Sequence, residues 1–439
     1  MKNNLILLLL LTLGFSSLQA QEIPKEERLA WFKDAKLGIF IHWGIYSVDG
    51  IDESWSFFNG YISHEDYMKQ LNGFNAKKYE PKEWAELIKK SGAKYAVLTT
   101  KHHDGVALWD SKAGDLNVVD KSKAKKDLLK PFVSAIREQG LKLGFYYSLL
   151  DWSHPNYPNA TREQKRYEED AKRWNQFVDF NFAQLDELNQ YHPDLWWFDG
   201  DWEQSAEMWK AKDIRASLLK ATPTTIINSR LQGYGDYATP EQGVPVYPPH
   251  DEYWELCMTM NNSWGFQHND KEYKTSNQII RILVDCISMG GNLLLDIGPK
   301  ADGSIPKEQV AILEDLGRWT NKHEKAIYGT RKGIPKEHFN GYTALSKDKT
   351  ILYLYVDNKP NGPLLIKGLK NKINRIWVVG NGTKLSHKVV GKQYWSSVPG
   401  LLYIDVPEEV QDKDVTVIGV LLDGPVDLFH EEVRAIESN

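Results

Sequence analysis

A (β/α)8-like TIM barrel followed by a C-terminal antiparallel β-sandwich is the fold class this sequence predicts, and three observations predict it. From Ala35 to about Tyr328, short strand-like runs alternate with amphipathic, helix-like segments. The strand-like runs are nearly continuous in apolar residues, as expected of a parallel sheet covered on both faces. After Gly333 the helical segments stop, and short β-rich runs separated by turn residues take over. Seven or eight strand–helix units over about 300 residues suit a closed barrel. A doubly wound open sheet is the competing arrangement, but no Gly-rich dinucleotide or phosphate loop follows the first strand.

Residues 1–20 read as an export signal and stand outside the fold. A short basic start, Met1-Lys2-Asn3-Asn4, leads into an apolar run over residues 5–15. Ser17-Leu18-Gln19-Ala20 then offers small residues for cleavage before Gln21 or Glu22. The apolar run is too short for a good membrane span, and no later stretch reaches about 18 apolar residues. A secreted or periplasmic protein without stable membrane insertion is expected. The barrel is assigned residues 21–333 and the sandwich residues 334–439.

Within the barrel, residues 36–43 (KLGIFIHW), 93–100 (AKYAVLTT), 141–148 (LKLGFYYS), 194–198 (DLWWF), 224–229 (TTIINS) and 291–297 (GNLLLDI) read as strands. Residues 82–91, 127–139, 162–189, 206–220, 277–289 and 307–322 read as helices, the last introduced by Pro306. In the sandwich, strands are expected at 350–356, 362–366, 373–379, 401–406 and 414–422. Cys257 and Cys286 are the only cysteines. Two in a chain of this length make no disulfide framework, and free buried thiols are expected.

The formal charge of −5 and pI of about 6.2 argue against an electrostatic nucleic-acid binder. In a barrel the reacting groups come from the C-terminal ends of the strands. The first strand here ends in His42-Trp43-Gly44, and the second runs into Lys101-His102-His103-Asp104-Gly105. The third ends in Tyr146-Tyr147-Ser148, the fourth in Trp197-Phe198-Asp199-Gly200-Asp201 and the fifth in Asn228-Ser229-Arg230. One polar strand end is commonplace; five in succession mark a mouth built for polar chemistry.

Asp199 is the sharpest candidate, a carboxylate leaving a buried strand beside Trp196, Trp197 and Phe198. Such a group suits a nucleophile toward an anomeric carbon, with a helix cap or ion pair as the bland alternative. Retaining hydrolysis needs a second carboxyl about 5–5.5 Å away. Asp236, Glu241, Asp251, Glu252 and Glu255 follow strand five, and spacing does not choose among them. His102 and His103 are adjacent and would point to opposite faces while the strand lasts. No HExxH-like spacing occurs. Neither a metal nor another cofactor is expected.

These residues also carry a resemblance. FIHWG (40–44), TTKHHDG (99–105), GFYYSLLDWS (144–153), LWWFDG (195–200), NSR (228–230), TPEQ (239–242), WELC (254–257), SWGF (263–266) and GGNLLLDIGP (290–299) resemble, in order, the motifs of glycoside hydrolase family 29, the α-L-fucosidases. The resemblance implies a retaining exo-glycosidase that removes terminal α-L-fucosyl residues from glycans through a covalent fucosyl-enzyme. It implies Asp199 as nucleophile and Glu241 as acid/base, with Glu255 as second candidate. It implies sugar contacts from His42, Trp55, His102, His103, Tyr147, Trp197, Arg230 and Trp264. Where many relatives carry adjacent Glu and Trp, this chain reads Asp52-Glu53-Ser54-Trp55-Ser56. Trp55 matches; the spacing does not decide whether Glu53 reaches the sugar. The implied partner is a fucosylated oligosaccharide or glycoconjugate, and self-association is left open. A galactose-configured sugar is the nearest alternative substrate. A binding barrel without chemistry is the alternative from another class, and loss of one carboxylate would be its signature.

Overall fold

A computed structural model describes residues 22–430; the expected signal segment lies outside them. Seven parallel strands form the barrel wall: β1 (Leu37–Ile41), β2 (Tyr95–Lys101), β3 (Lys142–Ser148), β4 (Leu195–Asp199), β5 (Ile226–Ile227), β6 (Glu255–Thr259) and β7 (Asn292–Ile297). Their order is β5-β4-β3-β2-β1-β7-β6. Between β5 and β6 runs an irregular segment joined by isolated parallel bridges, Asn228 to Tyr237, Ala238 to Trp254 and Glu241 to Cys257. This segment takes the place of an eighth strand and carries Glu241 to the mouth.

Alternation along the strands sorts the core into two layers. Phe40, Tyr95, Val97, Tyr146, Leu195, Trp197, Cys257 and Leu294 pack together inside the barrel. Ile39, Ile41, Leu98, Tyr147, Trp196, Phe198 and Leu295 face outward into the larger core under the helices. Gly38 is fixed by this packing: a Cβ there would stand 2.3 Å from the Tyr95 ring.

The helices Pro81–Lys90, Leu129–Glu138, Ala171–Asn189, Ala211–Ala221, Ser276–Met289 and Lys307–Lys322 follow the expected pattern with two late starts. Residues 162–170 are not helical. The Asp170 side chain accepts from the amides of Lys172 and Arg173 and so caps the helix at Ala171. Arg166 donates to the carbonyls of Trp152, Tyr157 and Asn159, which folds the preceding stretch against the barrel mouth. The helix expected from residue 206 starts at Ala211, after Lys210 at φ 52°. Strand five is only two residues long, and β6 lies where the sequence pattern predicts no strand.

The antiparallel part contains β8 (Arg331–Lys332), β9 (Tyr342–Leu345), β10 (Ile351–Val356), β11 (Leu364–Ile366), β12 (Ile373–Val378), β13 (His387–Val390), β14 (Leu401–Ile404) and β15 (Thr416–Leu422). They form a five-stranded sheet, β12-β15-β10-β9-β8, and a three-stranded sheet, β11-β14-β13. Leu352, Leu354, Ile418 and Val420 meet Ile366, Leu402 and Ile404 between the sheets. Tyr353, Tyr355, Val415 and Val417 join the outer barrel core instead. Trp319 of the last barrel helix donates to the Val415 carbonyl at 2.8 Å. Cys257 and Cys286 are free and buried, as expected.

Candidate active site

At the C-terminal ends of the strands lies a cavity of about 270 Å³, walled by His42, Glu53, Trp55, His102, His103, Tyr146, Trp197, Asp199, Arg230, Glu241 and Trp264, with Phe40 and Trp202 beside them. Asp199 closes β4 at its floor and is 8% exposed. One oxygen, Oδ1, accepts from the Arg230 guanidinium at 2.8 Å; Oδ2 accepts from the Tyr146 hydroxyl at 2.9 Å. The His103 Nε2 stands 3.6 Å from Oδ2. The other terminal nitrogen of Arg230 donates to Glu241 Oε2 at 2.5 Å. One planar cation therefore holds both carboxylates, the first almost buried and the second 40% exposed at the rim. Arg230 also lies over the Trp197 ring, 4.5 Å from its centroid, which fixes the plane of the fork.

The three histidines share one design. The Nδ1 of His42 bonds Asp296 at 2.7 Å, that of His102 bonds Ser54 at 2.5 Å, and that of His103 bonds Ser148 at 2.7 Å. Each ring is anchored by one nitrogen, which leaves Nε2 for a ligand. Burial pushes all three imidazoles below their ordinary range, His103 to about 3. They are therefore neutral at neutral pH, each able to donate or accept toward a sugar hydroxyl. His102 and His103 reach the same cavity because β2 ends at Lys101, so strand alternation no longer separates them. No group of three or more His, Cys, Asp or Glu suited to a metal occurs among the described residues.

Glu53 lies in this wall. Its Oε1 accepts from the Gly265 amide at 2.5 Å, and burial, opposed by that hydrogen bond, lifts its carboxyl to about 7. Trp264, its neighbour across that contact, faces His42 with ring centroids 4.9 Å apart.

Two expected site residues are elsewhere. Tyr147 points out of the barrel, and its hydroxyl meets Asn181 at 2.8 Å, Gln184 at 2.9 Å and Lys101 Nζ at 3.0 Å. Tyr146 takes the place in the cavity that was expected of Tyr147, because the β3 residue paired with Trp197 shares its inward face. Glu255 is wholly buried inside the barrel, bonded to the Tyr95 hydroxyl and, at 3.2 Å, to Trp197 Nε1. Trp197 lines the cavity and bonds Glu255 behind it, and Glu255 itself is not part of the cavity wall. Tyr146, Phe40, Trp202 and the Asp296 anchor were missed. Parity with Asp199 and Trp197 was the signal that could have found Tyr146.

The sequence model of the family described as Alpha-L-fucosidase matches residues 15–325. The chain belongs to the α-L-fucosidases of glycoside hydrolase family 29. It is 32% identical over 398 residues to an α-L-fucosidase of Branchiostoma floridae, covering 82% of this chain and 87% of that one. Among solved fucosidase structures, isoenzyme 1 from Paenibacillus thiaminolyticus superposes with a TM-score of 0.83 at 33% identity, covering 91% of this chain and 99% of that one. A Bacteroides thetaiotaomicron family 29 α-L-fucosidase, trapped as a covalent intermediate with 2-fluoro-fucosyl fluoride, gives 0.80 at 28% identity, covering 90% and 96%.

Proposed function

We propose that this chain is a retaining exo-α-L-fucosidase acting on fucosylated glycans, with Asp199 as nucleophile and Glu241 as acid/base. The observation that carries the assignment is the Arg230 fork, which presents a floor carboxylate and a rim carboxylate to one cavity. The nearly buried carboxylate suits attack on the anomeric carbon. The exposed one suits protonation of a leaving oxygen and, later, activation of a water.

In the first step Glu241 protonates the glycosidic oxygen as Asp199 forms an ester with C1 and the aglycone leaves. In the second, Glu241 takes a proton from water as that water displaces Asp199, giving the sugar with its configuration retained. Fucose presents hydroxyls and an apolar C6 methyl. Three neutral imidazoles suit the former, and the faces of Phe40, Trp197 and Trp264 suit the latter. The covalent intermediate trapped in the Bacteroides relative supports the two-step reading.

Export is part of the same proposal. It rests on the basic, apolar and small-residue order of residues 1–20. No helix among the described residues is long and apolar enough to cross a membrane.

The test is turnover of a panel of nitrophenyl glycosides, with the product anomer followed by NMR. The wild type should cleave the α-L-fucoside and release the α anomer first. Asp199→Ala should lose several orders of magnitude in kcat with folding intact. For Glu241→Ala, azide should restore turnover of an activated fucoside. Wild-type turnover in Asp199→Ala, or release of the β anomer, overturns the assignment.

A further inference from the structure

The near-balanced total charge conceals an uneven distribution. Residues 358–404 contain eight Lys or Arg and no Asp or Glu, in a chain of net charge −5. This stretch contains the whole three-stranded sheet, with β13 at its edge, and strand β12 of the other sheet. All four residues of β13 are exposed, with Val389 at 52% and Val390 at 45%. The hairpin from β13 to β14 projects Tyr394, 95% exposed, and Trp395, 51% exposed, with ring centroids 4.7 Å apart.

The same hairpin carries exposed Lys388 and Lys392, and exposed Lys384 stands three residues before β13. Among the described residues none of these three is within ion-pair distance of a carboxylate. Elsewhere in the stretch, Lys359 is paired with Glu408 at 2.6 Å and Lys370 with Asp427 at 3.1 Å. Lysines on an edge strand commonly guard against edge-to-edge pairing, which accounts for Lys388. It does not account for two large aromatics held in solvent at the tip, where ordinary surfaces carry polar residues.

We propose that the β13–β14 hairpin is an accessory binding surface for a polyanionic polysaccharide bearing sulfate or uronic carboxylate groups. It is separate from the cavity at the barrel mouth and does not depend on the function assigned there. Ammonium groups match the anions, and the Tyr394 and Trp395 rings match the apolar faces of sugar rings. The stretch 358–404 is purely basic, while the residues outside it sum to a net negative charge. A thread-like polymer can lie along the hairpin alone, whereas a flat anionic bilayer spans more of a chain whose remaining residues are net negative and repel it. Duplex DNA hides its base faces and offers the aromatics nothing to stack on.

The test is affinity electrophoresis of the full chain in gels containing dextran sulfate or neutral dextran, beside Lys388→Gln/Lys392→Gln and Tyr394→Ala/Trp395→Ala. Nitrophenyl fucoside turnover and melting curves of both double variants should overlay the wild type, since every substituted side chain is exposed. The wild type should be retarded by dextran sulfate but not by dextran. The lysine variant should bind about tenfold more weakly, with a shallower salt dependence. The aromatic variant should bind about fivefold more weakly with the salt dependence unchanged. No retardation, unchanged binding of either variant, or tighter binding to phosphatidylglycerol vesicles or a DNA duplex overturns the proposal.

Discussion

Tyr146 and Tyr147 are consecutive in sequence and serve opposite sides of the same strand. The Tyr146 hydroxyl donates to Asp199 inside the barrel at 2.9 Å, while the Tyr147 hydroxyl sits outside among Asn181, Gln184 and Lys101. Removing one hydroxyl should therefore touch chemistry, and removing the other should touch stability. Tyr146→Phe is expected to lower kcat by about tenfold to a hundredfold, because a donor to the proposed nucleophile Asp199 is lost. Tyr147→Phe should leave kcat and KM near wild type and cost about 1–3 kcal/mol of unfolding free energy, since a buried lysine and two amides lose a partner. Kinetics and urea denaturation on the same preparations separate the two outcomes.

Arg230 is the point at which both proposed catalytic carboxylates meet one charge. A lysine at this position keeps the charge but cannot fork, and it loses the flat contact with Trp197. Arg230→Lys should lower kcat/KM on a nitrophenyl fucoside by about a hundredfold or more. Because lysine keeps a positive charge beside Asp199 and Glu241, the variant's melting temperature should move far less than its turnover. Near wild-type turnover in this variant would show that the fork does not organise the pair.

Gly265 supplies the amide that holds Glu53, and it has no room for a side chain. A Cβ there would lie 2.6 Å from the Tyr46 ring and 3.0 Å from Glu53 Oε1. Gly265→Ala must push Glu53 or Tyr46 aside. The expected result is a rise in KM of about tenfold, with a stability loss of about 1–3 kcal/mol from overpacking. If Glu53 serves only the wall and never meets substrate, stability falls while KM stays put.

The parallel strands were legible because each is apolar throughout and ends in polar residues, and the mouth could be read from those ends alone. Three features were not legible. The family resemblance points to Tyr147 and not Tyr146, two adjacent identical side chains that differ only in parity, which is set by pairing with Trp197 on the neighbouring strand. Strand β6 and the irregular 237–241 segment owe their places to bridges with distant residues, so local propensity could not show that Glu241 reaches the mouth while Glu255 is drawn inside. The helix expected from residue 162 begins at Ala171 because Asp170 caps it and Arg166 ties the preceding stretch to carbonyls of the loop after β3.

Glu255 offers the sharpest separation of burial from catalysis. Burial, opposed by hydrogen bonds with Tyr95 and Trp197, lifts its carboxyl from 4.5 to about 8. The native state thus holds a proton that the unfolded chain releases between those values. By linkage, this group's contribution to stability is fully present below about pH 4.5 and is lost as pH rises toward 8, at about 1.4 kcal/mol per pH unit at most. A glutamine has nothing to release, while its amide oxygen can still accept from Trp197. The stability difference between Glu255→Gln and wild type should therefore grow in the variant's favour from pH 5 to pH 8, measured by urea unfolding at several pH values. Taking that difference removes the titrations that both proteins share. Activity should stay within a few-fold of wild type, whereas Glu241→Gln should be severely impaired. A collapse of turnover in Glu255→Gln with unchanged stability would return the acid/base role to the buried residue, against its place behind Trp197 and outside the cavity wall.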